Sequence, residues 1–78
     1  MNLEHLVKMA NQIGAFFETM PDRSQAMADF ASHLKRSWEP RMRRELLTYI
    51  ETQRETQGGP ELNPMVLEAV RLHAATLQ

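Results

Sequence analysis

No cysteine occurs in these 78 residues. That absence excludes disulfides, iron–sulfur ligation and thiolate chemistry. Long apolar runs are missing too, and none approaches the ~20 consecutive residues that a membrane helix needs. The first residues lack the basic-then-apolar pattern of a signal peptide. Together these absences predict a soluble, cytoplasmic chain with no membrane association. Charge of one sign is not in excess either. Nine basic and ten acidic residues give a formal net charge of −1, whereas non-specific nucleic-acid binders are ordinarily basic.

The patterns that carry catalysis are also lacking. The three histidines, His5, His33 and His73, form no i,i+4 pair, and no carboxylate cluster completes a metal site beside them. Ser24, Ser32 and Ser37 lack the glycine-flanked elbow that exposes a catalytic serine. Gly58-Gly59-Pro60 has neither the preceding strand nor the lysine of a phosphate-binding loop. No catalytic, cofactor-binding or metal-binding residue is expected, and the chain does not read as an enzyme by itself.

What is present is helical periodicity. No segment alternates with period two as a half-buried strand does. A first helix is predicted over 3–19, with Leu3, Leu6, Val7, Ala10, Ile13, Gly14 and Phe17 on one face. Asp22 is placed to cap a second helix over 23–37, whose stripe is Met27, Phe30, Ala31 and Leu34, continued by Trp38. Pro40 restarts the chain in a new direction, because the residue before a proline is pushed out of helical geometry. A third helix, 40–54, carries Met42, Leu46, Tyr49 and Ile50. Asn63-Pro64, a capping residue and a first-position proline, opens a fourth over 64–77. The expectation is an all-α fold, a small bundle of four short helices. It forms a single domain over 1–78, with a flexible loop at about 54–62.

Two features exceed what such a bundle needs. Apolar residues spread beyond one stripe: Met9, Phe16 and Met20 on the first helix, and Met65, Leu67, Ala69 and Leu72 on the last. Surplus apolar surface marks an interaction face, and six methionines suit an adaptable one. The second feature is Trp38-Glu39-Pro40-Arg41-Met42-Arg43-Arg44. A helix start carries partial positive charge, so cations there cost roughly 0.3–1 kcal/mol each. Arg41 can pair with Glu45 at i,i+4, but this explains one arginine only. Arginine forks grip carboxylates bidentately, which makes this turn a candidate anion-recognising corner. Trp38 serves it either as a core residue or as an interface anchor, and both hold if the ring faces inward while the arginines face outward.

These residues resemble a known family. Leu6-Val7-Lys8-Met9-Ala10-Asn11-Gln12-Ile13, Phe16-Phe17, His33-Leu34-Lys35, Trp38-Glu39-Pro40-Arg41-Met42-Arg43 and Leu62-Asn63-Pro64 with Val66 and Ala69 are similar to the delta subunit of NAD-dependent formate dehydrogenases. The resemblance implies a non-catalytic accessory subunit of a cytoplasmic complex that oxidises formate. Molybdopterin, iron–sulfur clusters and FMN would sit on other subunits. The implied partner is the catalytic (alpha) subunit, whose assembly, stability or cofactor loading this chain would support. On this reading Met9, Asn11, Phe16, Met20, Trp38, Pro40, Arg41, Arg43 and Arg44 are the partner-binding residues. Acidic replacement of Arg41 and Arg43 together is expected to abolish the interaction without loss of helicity. The alternatives are a small helical adaptor that self-associates without any dehydrogenase link, and a nucleic-acid-binding module built on 35–44.

Overall fold

A computed structural model describes residues 2–52 and 59–78. Five helices follow in order: α1 Leu3–Phe17, α2 Arg23–Ser37, α3 Pro40–Thr52, α4 Pro64–Leu72 and α5 Ala74–Leu77, with no strand among the described residues. The all-α fold agrees with the sequence reading, and the helix ends refine it. Asn2 caps α1 by accepting from the backbone N–H of Glu4 at 2.7 Å. Asp22 accepts from Gln25 N–H at 3.1 Å, and Asn63 from Met65 N–H at 2.8 Å.

α1 stops two residues before the predicted end. The Thr19 hydroxyl donates to the Phe16 carbonyl at 2.7 Å, and Met20 N–H reaches Phe17 O at 3.0 Å, so the ladder tightens ahead of Pro21. The predicted end of the third helix, 53–54, lies outside the described residues, as does 54–58 of the predicted loop. The predicted last helix is two. The backbone of His73 leaves the helical region, with φ −111° and ψ 26°, and α5 follows with Leu77 buried.

The core centres on α2, which packs against each of the other four helices. Phe30 and Leu34 are fully buried there beside Leu6, Leu46, Met65 and Val66. α1 lies against α4 closely enough that a Cβ on Gly14 would sit 2.3 Å from Val66 Cγ2. Glycine is what permits that approach. Segment 59–62 is fastened to this body. Leu62 is buried, the Tyr49 hydroxyl donates to the Pro60 carbonyl, and Asn11 Nδ2 donates to Glu61 O at 2.9 Å.

The surplus of apolar surface is smaller than the sequence suggests. Met65 and Ala69 are buried within the chain, because α4 is flanked by α1, α2 and α5. Met9 and Leu67 are half-buried against the core. Among the described residues, the exposed large hydrophobics are Leu3, Phe16 and Leu72.

Candidate docking surface

The corner between α2 and α3 sorts its arginines by direction. The Trp38 ring belongs to the core, and its backbone N–H closes α2 on Leu34 O at 2.9 Å. Pro40 occupies the first position of α3, exposed, and Glu39 O accepts from the N–H groups of Met42 and Arg43.

Arg43 turns inward, contrary to the expectation that all three arginines face a partner. Only 7% of it is exposed. Its Nη1 donates to Trp38 O at 2.6 Å and to Lys35 O at 3.2 Å, and its Nε donates to Leu77 O at 3.1 Å. These are carbonyls at the C-terminal ends of α2 and α5, where a helix presents partial negative charge. The negative groups that offset this cation are thus supplied by the chain itself. An acidic side chain here would face three carbonyl oxygens, so the paired Arg41 and Arg43 reversal would disturb the fold as well as any interface.

Asn11 is likewise engaged internally. Besides donating to Glu61 O, its Oδ1 accepts from Asn63 N–H at 2.8 Å, so one amide fixes the approach to α4. Asn11 is therefore placed as a clamp within the chain. Met9 and Met20 are half-buried.

Arg41 and Arg44 do project outward. Arg41 is propped by Glu45 at 3.6 Å, with 76% of its side chain exposed. Arg44 is exposed and has no hydrogen bond or ion pair with the described residues. Both line an open cavity of about 400 Å³ with Leu3, Glu45, Thr48 and Tyr49. Sequence reasoning did not find Leu3 or Thr48 as part of this surface. The signal for Thr48 was its spacing from Arg41 and Arg44 on one helical face. Leu3 needed the packing of α1 on α3, which periodicity does not give. Within this surface burial pushes the Tyr49 phenol above its ordinary pKa, and its bond to Pro60 O also favours the protonated form.

Phe16 lies elsewhere, at the far end of α1. Its ring meets Phe17 edge-on at 5.3 Å, Phe17 meets Phe30 at 6.3 Å, and His33 lies 5.8 Å from Phe17. Phe16, Ile13, Phe17, Gln12 and His33 line a second open cavity of about 350 Å³. The predicted partner-binding residues therefore do not form one site. Arg41 and Arg44 share one surface, Phe16 marks another, and Trp38, Arg43 and Asn11 hold the fold between them.

Among the described residues, no group of three or more His, Asp or Glu is placed to hold a metal, and no helix is long and apolar enough to cross a membrane. The chemistry this surface offers is recognition of carboxylates beside apolar contact. In comparisons with known proteins, a family model described as NADH-dependent formate dehydrogenase delta subunit FdsD matches residues 5–70. No curated protein and no solved structure matches the chain.

Proposed function

Since this chain belongs to the family of NADH-dependent formate dehydrogenase delta subunits, we propose that it is a non-catalytic accessory subunit that docks on the catalytic subunit and supports its assembly in the cytoplasm. The observation that carries this reading is the family match over residues 5–70. The outward pair Arg41 and Arg44 supports it with a physical means of docking. The redox groups of such an enzyme, molybdopterin, iron–sulfur clusters and FMN, belong on this reading to other subunits. This chain has no cysteine to ligate a cluster and no clustered ligand set among its described residues.

Stabilisation by docking follows from mass action. A partner that binds only the folded catalytic subunit raises its stability by RT ln(1 + L/Kd), where L is the free concentration of that partner. The test is co-expression of the remaining subunits with and without this chain, carrying an affinity tag on it. The expected result is recovery of the catalytic subunit with the tag, and a fall in assembled enzyme when the chain is omitted. Equal yield of assembled enzyme in its absence, with nothing retained on the tag, would contradict the proposal.

A further inference from the structure

We infer that the groove between the start of α1 and the outer face of α3 receives an acidic, amphipathic helical segment of the catalytic subunit, about two turns long. This rests on the accessory-subunit reading above and names the chemistry of the partner at that surface.

The length comes from spacing. Arg41, Arg44, Glu45 and Thr48 stand at i, i+3, i+4 and i+7, so they form one stripe on α3. Seven residues of helix span about 10.5 Å, which is two turns of a facing helix. Leu3 and Tyr49 add apolar wall to the same groove. A helix laid in such a groove presents its own side chains at the same spacing.

The charge of the occupant follows from what the groove leaves unpaired. Arg44 has no partner among the described residues, and Arg41 has only the long, exposed contact to Glu45. Two carboxylates on successive turns of the incoming helix satisfy both guanidiniums. An apolar side chain between them covers Leu3, which is 39% exposed. Glu45 sets the limit on that charge. Its carboxylate sits inside the groove and repels an unbroken anionic chain such as nucleic acid, whereas a helix can place a neutral or basic residue opposite it. The cavity beside Phe16 is lined by Gln12, Ile13, Phe17 and His33, with no arginine, lysine or carboxylate among them, so it offers no comparable pattern.

The experiment uses the co-expressed complex with a photo-reactive amino acid at Thr48 and, separately, at Phe16. Illumination is expected to join the Thr48 probe to a peptide of the catalytic subunit carrying carboxylates three or four residues apart. Arg44→Glu is expected to lower that yield at least tenfold, and arginine in place of the opposing carboxylate to restore it. Circular dichroism of R44E should match wild type, since the side chain is exposed and has no hydrogen bond or ion pair among the described residues. A Thr48 cross-link that survives R44E unchanged, or a captured peptide without acidic residues, overturns the inference. If the complex forms and only the Phe16 probe captures the catalytic subunit, this inference fails and the accessory-subunit reading stands. If the wild-type chain forms no complex, both fail.

Discussion

Arg43 Nη1 lies 2.6 Å from the carbonyl oxygen of Trp38, so the guanidinium of α3 closes the C-terminal end of α2. The same group holds Leu77 O of α5, joining three helices through one buried cation. Hydrogen bonds to a charged donor contribute about 1.5–3 kcal/mol each, and they do not simply add. Arg43→Met, which keeps bulk and removes the charge, is expected to cost about 2–4 kcal/mol in urea unfolding. A domain of this size has a stability of order 5 kcal/mol, so the loss is severe. Arg41→Met should change stability by no more than about 0.5 kcal/mol, because its pair with Glu45 is exposed.

Gly14 tests the packing of α1 on α4. Alanine there gains helix propensity of up to about 1 kcal/mol, yet its Cβ would fall 2.3 Å from Val66 Cγ2. Overpacking of this kind costs about 1–3 kcal/mol, so G14A is expected to be destabilising overall. In a Val66→Ala background the clash is gone and the same change should become neutral or stabilising. A double-mutant cycle by thermal unfolding reads that reversal of sign. A G14A cost unaltered by V66A would show that the contact does not exist.

Asn11 is expected to matter through the 61–63 segment. Asn11→Asp keeps the acceptor for Asn63 N–H and replaces the donor to Glu61 O with an oxygen. Destabilisation of about 1–3 kcal/mol is expected from the lost bond and the new repulsion. Hydrogen exchange at the Asn63 amide should stay slow in N11D relative to N11A, which loses both contacts.

Tyr49 gives a pH dependence of known sign. Its phenol is pushed up from the ordinary value of 10.0 by burial. A group whose pKa is higher folded than unfolded contributes stability that is full below the unfolded value and lost as pH rises through the folded one. Stability of the wild type should therefore fall as pH climbs past 10. Tyr49→Phe should lose this component and, at neutral pH, about 0.5–1.5 kcal/mol for the bond to Pro60 O. Phenolate absorbance followed alongside unfolding checks both.

The helices were legible because their periodicity and caps are local. Asp22, Asn63 and Pro64 mark their own starts, and α2 and α3 begin where the sequence places them. The inward turn of Arg43 was not read, although one signal existed. Arg43 stands three residues before Leu46 and seven before Ile50, on the apolar stripe of α3, where a cation is out of place unless paired. Its acceptor on Leu77 lies 34 residues away, a relation that spacing along one helix cannot show. For Asn11 the family resemblance implies partner binding, and nothing in its local spacing points to a role inside the chain. What remained hidden was that its acceptor and donor sit in the segment 50 and 52 residues on. The break at His73 has no proline or glycine to announce it, so the split into α4 and α5 needed the structure.

The arginine corner divides into Arg43, which holds the fold, and the outward Arg41 and Arg44, which on the proposed reading meet a partner. Hydrogen–deuterium exchange of this chain, alone and within the assembled dehydrogenase, tests that division most directly. Assembly is expected to slow exchange across the start of α1 and the first two turns of α3. The backbone amides of α2 that Arg43 helps to close should already be slow in the free chain. Unchanged exchange around Arg41 and Arg44 on assembly, with new protection confined to the Phe16 end of α1, would contradict it.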